Sequence, residues 1–205
     1  GPPDDPERYH HRQIWFRNTP EFDEAVRTGF AADHDAAVAG ALAHWEEAPL
    51  SALALIMLLD QVPRHIFRST PRVWASDPLA LATANRALAR GFDRDVPPAW
   101  RLFFYLPFEH SENLENPRRG LDLMLAIPPV SGRPDDGKMT RLHFEIIERF
   151  GRFPHRNAIL GRPSTPEELA FLTECEHRFG HPTPEPDPVE ACTVIPGSPR
   201  RGVPE

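Results

Sequence analysis

Three polar stretches of the sequence each follow an apolar run and carry side chains that can bind anions or move protons. They read LLDQVPRHIFR from Leu58, LPFEHSE from Leu106 and FGRFPHRN from Phe150. The second contains two carboxylates and an imidazole, which are usual groups for acid–base catalysis. The third places two arginines within eight residues, beside two phenylalanines. These arginines need an opposing charge, which comes either from the protein's own carboxylates or from a bound ligand.

The imidazoles are the candidates for proton transfer. We predict that His110 or His155 moves a proton and that Glu109 or Glu112 tunes the imidazole, which makes these four the candidate catalytic residues. Pro63 limits the helical regularity of the first stretch, in which three charged residues are spaced by four. The candidate ligand-binding residues come from the first and third stretches: Asp60, Arg64, Arg68, Arg152, Arg156 and Asn157.

The region around the third stretch is locally basic in an acidic chain. Residues 141–162 contain five arginines and two glutamates, whereas the whole chain has a net charge of -7. Guanidinium groups present forked donors that suit carboxylate or phosphate oxygens, so a small anionic ligand is a natural complement. The alternative is a structural network, in which Asp60, Glu109 and Glu112 are the internal partners of the arginines. Both interpretations remain open at the level of sequence.

Other chemistry is less well supported by the spacing of the residues. His110, Glu112 and His143 have side chains that ligate metals, but one H-x-E step with a distant histidine is not a recognised metal-binding pattern. Ser111 lies between His110 and Glu112, yet adjacent side chains diverge, so these three cannot form a local catalytic triad. We therefore predict no metal site and no cofactor.

The elements that must position these residues are helices. Thr19 followed by Pro20 is typical of a helix start, and Thr165 with Pro166 repeats it with Glu168 as a capping box. No period-2 strand pattern of useful length occurs. The sequence therefore predicts an all-α fold, a compact bundle of about seven or eight short helices arranged as tetratricopeptide-repeat-like helix pairs.

Three helices are expected to carry the polar stretches. Residues 51–62 are apolar nearly all round and are expected to form the most buried helix. Residues 100–106 form a second helix, which Pro107 is expected to end. Residues 141–150 form a third, with its apolar face against residues 51–59, which would bring the third polar stretch beside the first.

Composition limits the organisation of the chain and its partners. We predict an N-terminal extension at 1–14, a single all-helical domain at 15–180 and a proline-rich tail at 181–205. The acidic balance disfavours nucleic acid and anionic membranes as partners. The longest apolar run, residues 52–59, is far shorter than the roughly 20 residues of a membrane helix, and no signal segment is evident. We predict a cytoplasmic protein.

Four long motifs resemble those of a bacterial family known as domain of unknown function 924. They are WFRNTPEFDEAV, LALIMLLDQVPRHIFR, LPFEHSE and FGRFPHRNAILGRPSTPEEL, within residues 15–179. The resemblance implies an all-α fold similar to tetratricopeptide-repeat proteins and implies no particular reaction. Three features depart from the family pattern: His65 replaces a usual asparagine, Pro117 replaces a common glutamine, and the extension before Trp15 is shortened or altered.

Two functional hypotheses follow. In the first, the protein binds a small anionic carboxylate or phosphate through its clustered arginines, with or without acid–base catalysis by a histidine. In the second, the protein is a helical-repeat adaptor that binds a peptide or protein partner, and the charged motifs are purely structural. We favour the first because the motif residues fall in three places that can converge.

Overall fold

The computed structural model describes residues 19–129 and 137–175 of the 205-residue chain. The predicted extension at 1–14 and the predicted tail at 181–205 lie outside these ranges. Within them the chain is helical without strands, which confirms the all-α prediction. The α-helices are α1 (Pro20–Val38), α2 (Pro49–Ile66), α3 (Asp77–Ala89), α4 (Pro98–Glu109), α5 (Glu115–Leu125), α6 (Lys138–Phe150) and α7 (Pro166–Cys175).

Two predicted helix starts are confirmed in detail. The hydroxyl oxygen of Thr19 accepts a hydrogen bond from the amide of Phe22 at 3.2 Å. At α7, Thr165 and Glu168 cap each other, since each amide donates to the other's side chain at 2.7 and 3.2 Å. Gly151 ends α6 with a positive φ of 68°, a conformation that glycine adopts without strain. This turn sends the chain into the third polar stretch.

Helix α4 is the most buried helix rather than α2, which corrects the prediction. Nine of the 12 residues of α4 are buried, against 11 of the 18 residues of α2. The reason is the position of α4, which packs against α2, α3, α5 and α6. Helix α2 packs against α1, α3 and α4, but its first turn is partly exposed.

Two of the three polar stretches contain a proline within the helix that precedes them. Pro63 has no amide hydrogen, so the carbonyl of Leu59 lacks its usual helical donor. The hydroxyl of Ser76 donates to that carbonyl instead, at 2.7 Å, and thereby ties the start of α3 to α2. Pro107 was expected to end α4, but the helix continues to Glu109. Proline removes only its own bond, and the amide of His110 still donates to Leu106.

The expected packing of α6 on α2 is also wrong. The main neighbours of α6 are α5 and α4, and it builds a separate apolar cluster in which Leu142 and Ile146 meet Phe153 and Phe171. Large aromatic residues of α4 already cover the corresponding face of α2. Across residues 19–129 and 137–175, no helix combines the length and the apolar character that crossing a membrane requires.

Candidate functional site

A buried cluster of charges forms where α2, α3 and the end of α4 meet. Its centre is Asp60 on α2, one helical turn before Arg64, and the bond between Ser76 and Leu59 places the first turn of α3 beside both. The Pro154–Arg156 turn after α6 adds one more cation. We call this group the Asp60 cluster, and it consists of Asp60, Arg64, Asp77, His110 and Arg156.

Each carboxylate oxygen of Asp60 has a hydrogen-bond partner. One oxygen lies 2.8 Å from Nδ1 of His110, and the other accepts from the side-chain amide of Gln61 at 2.5 Å. Arg64 lies 3.4 Å from the first of these oxygens. Burial by itself raises the pKa of Asp60, but the charges of Arg64 and His110 outweigh that effect, so the pKa lies below its usual range. Asp60 is therefore an ionised carboxylate in the interior.

Asp77 neutralises Arg64 in a forked pair. The two guanidinium nitrogens donate to the two carboxylate oxygens at 3.1 and 3.2 Å. Burial is the largest cause of the raised pKa of Asp77, with the charge of Asp60 acting in the same direction against the opposing Arg64. Burial also works against the charge of Arg64, but Asp60 and Asp77 more than offset it and raise its pKa.

Arg156 has much weaker compensation than Arg64. Its side chain is 8% exposed, and its nearest carboxylate oxygen, on Asp77, lies 3.9 Å away. One terminal nitrogen donates to the carbonyl of His110 at 2.9 Å, and the guanidinium lies over the rings of Phe153 and Trp74. Among the described residues, its Nε has no hydrogen-bond partner. The pKa of Arg156 is lowered to about 10. Burial is the largest cause, and the charges of Arg64 and Arg162 act in the same direction.

A second carboxylate–histidine pair lies beside the cluster. Glu109, at the end of α4, contacts Nδ1 of His143 on α6 at 2.7 Å. Burial raises the pKa of Glu109, but the charge and hydrogen bond of His143 outweigh it and lower the pKa overall. The rings of His143 and His110 lie 6.3 Å apart, edge to face. Within residues 19–129 and 137–175, no group of three or more metal-ligating side chains is placed to hold a metal ion.

His155 contacts Phe153, whose ring His143 also contacts. Its ring centre is 5.5 Å from that of Phe153, which also contacts His143 at 5.5 Å. Burial lowers the pKa of His155 well below 6.5, and the charge of Arg156 shifts it in the same direction. His155 is therefore neutral at neutral pH.

The remaining residues of the third stretch belong to a different group of contacts. We call it the paired network, and it consists of Glu112, Arg152, Asn157, Arg162 and Glu168. Arg152 donates two hydrogen bonds to Glu168, at 2.6 and 2.8 Å, and a third to the carbonyl of Pro163. Hydrogen bonding to Arg152 is the largest cause that lowers the pKa of Glu168, to about 2.

Asn157 and Arg162 join the two halves of the paired network. Asn157 is fully buried and donates to both Ser164 and Glu168. Arg162 donates to the oxygen of Asn157 at 2.9 Å and forms a forked pair with Glu112 at 2.7 and 3.0 Å. Every charged side chain of the network thus has a directly bonded partner of opposite charge.

Arg68 lies in neither group. It donates to both oxygens of Asp23 on α1, at 2.7 and 2.9 Å, and His65 contacts the same carboxylate at 2.8 Å. The structure thus brings Asp60, Arg64, His110 and Arg156 together and places Arg68 elsewhere.

Four residues contribute to these sites without having been predicted to do so. They are Asp77, Trp74, His143, which was considered only as a metal ligand, and Arg162, which was counted only in the local charge. Nothing in the sequence next to Asp77 or His143 marks either residue as part of a site, because each interacts with a partner from another helix. Arg162 gives a usable signal, since it closes the arginine-rich segment.

These features define a helical protein in which three helices and one turn enclose a buried cluster of charges. The chain belongs to the family described as "Bacterial protein of unknown function (DUF924)", whose model matches residues 5–176. It is similar to a solved chain described as "Structure of Protein of Unknown Function ATU0120 from Agrobacterium tumefaciens". The two share 42% identity over 78% of this chain and 88% of that chain, with a TM-score of 0.73. No curated protein matches the chain.

Proposed function

We propose that the Asp60 cluster binds a small anionic ligand, a carboxylate or a phosphate. The observation that carries the proposal is the environment of Arg156, a buried cation whose nearest carboxylate oxygen is 3.9 Å away. A buried charge without a well-bonded partner is costly, and a bound anion would supply the missing partner. The Nε of Arg156 is buried and has no hydrogen-bond partner among the described residues, which adds to the cost of burying this cation.

The proposed ligand would enter where the cluster meets solvent. The side chains of Arg64 and Asp77 are 21% and 14% exposed, and the ring of Trp74 is partly exposed above Arg156. An anion at this edge would interact with Arg156 directly and with Arg64 at longer range. The flat ring of Trp74 would limit water on one side of the ligand and strengthen the electrostatic attraction.

The cluster would also allow a proton transfer to or from the bound ligand. In the neutral form of His110, Nδ1 carries the proton because it lies 2.8 Å from ionised Asp60, and Nε2 is left to accept a proton. An aspartate that fixes the tautomer of a histidine is a recurring arrangement in acid–base catalysis. We propose His110 as the acid–base group, with Asp60 as its positioning residue. Neutral His155 is a second base within the same region.

Thermal unfolding with and without anions tests the proposal. We expect phosphate or a small dicarboxylate to raise the melting temperature of the natural protein, because a ligand that binds only the folded state stabilises it by mass action. At 100 times Kd the stabilisation amounts to about 2.7 kcal/mol. Arg156→Met should abolish the response. Arg149→Met is the matched control, because Arg149 pairs with the largely exposed Glu167 on the surface.

Sodium chloride at matched ionic strength separates specific binding from screening. An equal shift with sodium chloride, or an anion response that survives in Arg156→Met, would overturn the proposed site. For proton transfer, a ligand that binds should perturb the ring signals of His110 in nuclear magnetic resonance spectra. His110→Gln should retain anion binding, since Arg156 contacts only the backbone carbonyl of that residue.

A further inference from the structure

A cavity of about 330 Å³ lies between α1 and α2, on a different side of α2 from Asp77. Its volume is in the range of small-molecule pockets. The walls are largely apolar. One stripe of residues comes from α1 at four-residue spacing, and further residues come from α2, α4 and the turn that precedes α2. They include Phe22, Val26, Phe30, Trp45, Met57 and Phe103.

The three polar residues that line this cavity can all accept hydrogen bonds. They are Asp33, Gln61 and His65. The amide nitrogen of Gln61 already donates to Asp60 at 2.5 Å, so its carbonyl oxygen is left to accept. The orientation of the amide is thus set by the carboxylate it meets.

His65 presents an acceptor for a related reason. Its Nδ1 lies 2.8 Å from a carboxylate oxygen of Asp23. Burial raises the pKa of Asp23, but the hydrogen bonds of Arg68 and His65 outweigh it and lower the pKa, so this carboxylate is ionised. In the neutral form of the ring, the proton is on Nδ1, which faces Asp23, and Nε2 can accept a hydrogen bond.

We propose that this cavity binds an apolar molecule that ends in a hydrogen-bond donor, an alcohol or an amine. The apolar body would fill the space between α1 and α2, and the donor would meet the acceptors of Gln61 and His65. Among the described lining residues there is no lysine or arginine, so a fatty carboxylate would meet no compensating cation. The proposal is independent of anion binding by the Asp60 cluster.

The position of Gln61 also links the cavity to the Asp60 cluster. Its side chain lines the cavity and donates to the carboxylate that holds His110. A donor bound to the carbonyl of Gln61 would polarise its amide group and strengthen the bond to Asp60. A molecule bound in the cavity would thereby affect His110 through two hydrogen bonds, one between Gln61 and Asp60 and one between Asp60 and His110.

Methionine-methyl spectroscopy on the full chain tests the proposal, because the chain contains only three methionines. Met57 lines the cavity and also packs against the apolar cluster that contains Met124, but neither Met124 nor Met139 lines the cavity. Titration with 1-octanol or octylamine should shift the Met57 signal saturably and leave the other two unchanged. Octanoate, which has the same chain length and an anionic end, should bind at least tenfold more weakly.

A variant that fills the space provides the control. Ala54 lines the cavity, so Ala54→Phe should weaken octanol binding by at least tenfold while the fold is retained. If that variant does not fold, Val26→Phe fills the cavity from the α1 side.

Three results would overturn the proposal. The first is the absence of any shift at Met57, and the second is binding of octanoate as tight as that of octanol. The third is a nuclear Overhauser contact between Met57 and Trp15 in the ligand-free protein, because the chain's own residues would then fill the cavity.

Discussion

Arg152 and Arg156 are four residues apart in one polar stretch, yet their environments differ in the property that decides their roles. Arg152 has a forked carboxylate partner at 2.6 and 2.8 Å and is 28% exposed. Arg156 is 8% exposed, and its nearest carboxylate oxygen is 3.9 Å away. Arg152, which solvent can reach, is fully paired with a carboxylate, whereas the buried Arg156 is not.

The difference teaches that residue type and spacing do not separate an arginine that is paired within the protein from a buried arginine that is poorly compensated. In the paired network, each charge is balanced within the protein, so a ligand would have to displace an existing bond. In the Asp60 cluster, Asp60 and Asp77 are both already engaged by Arg64, which leaves little negative charge for Arg156. Only the second arrangement would gain free energy from the anion that we propose.

The largest expected effect is the loss of stability in Arg152→Met. The substitution leaves Glu168, whose side chain is 3% exposed, without its forked cation. The melting temperature should fall by roughly 5 to 10 °C, and added anions should not restore it. Arg149→Met, whose partner Glu167 is 62% exposed, should change the melting temperature little. Equal effects of the two substitutions would remove the distinction between the paired network and a surface ion pair.

A smaller loss is expected for Asn157→Ala, which breaks the middle of the paired network. Asn157 is fully buried, and its removal leaves Ser164, Glu168 and Arg162 each without one hydrogen bond. We expect a decrease of about 2 to 3 kcal/mol in the free energy of unfolding, measured by urea denaturation. Asn116→Ala is the control, since Asn116 is only partly buried and bonds to Ser111 alone through its side chain. A cost no larger than that of the control would contradict a cooperative network.

The pH dependence of stability should distinguish the two arginines. The pKa of His155 is lowered in the folded state, so below about pH 6.5 the unfolded chain binds a proton that the folded chain does not. Stability should therefore decrease as the pH falls from about 7 towards 5. His155→Gln should flatten this dependence, and Arg156→Met should flatten it in part because a nearby positive charge is lost.

Arg152→Met should change the slope of this pH dependence little, since Arg152 is not among the main charges that shift the pKa of His155. Burial also lowers the pKa of His34, so part of the slope should persist in every variant. A slope that responds equally to both arginine substitutions would break the comparison.

The smallest expected effect on stability is that of Arg156→Met without ligand. The substitution replaces a buried, poorly compensated cation by an apolar side chain and loses one hydrogen bond to the carbonyl of His110. These changes oppose each other, so the free energy of unfolding should change by less than about 1 kcal/mol. A loss as large as that of Arg152→Met would show that Asp77 already neutralises Arg156, and would remove the basis for an anion site.

The helices themselves were predictable because their signals are local. Thr19 and Thr165 cap helices by hydrogen bonds to residues three positions later. Such short-range contacts can be predicted directly from the sequence. The end of α4 was not predictable from Pro107 alone, because a proline in the last turn breaks one bond and leaves the next one intact. The packing of α6 could not be predicted in the same way. It depends on which other helix covers α2, and that is determined by the whole chain.

The candidate site was predictable in its residue types but not in its pairings. Arg68 meets Asp23, 45 residues away, and Arg162 meets Glu112, 50 residues away. Several carboxylates and several arginines allow many pairings of similar energy, and side-chain spacing along one helix does not choose among them. The choice is made by tertiary packing, which pairs Arg152 with Glu168 and places Arg156 near Asp77.

The missing amide hydrogen of Pro63 has a consequence for the alignment of neighbouring helices. A helix with a complete ladder of hydrogen bonds would offer α3 an apolar surface on which several offsets along the axis have similar energy. The carbonyl of Leu59 differs from every other position on that surface, because it accepts from the hydroxyl of Ser76. The offset of α3 is thus set at one point, and Asp77 follows Ser76 directly in the chain. A sliding error of one turn, about 5.4 Å, would separate Asp77 from Arg64, so a single imino acid keeps the two charges in register.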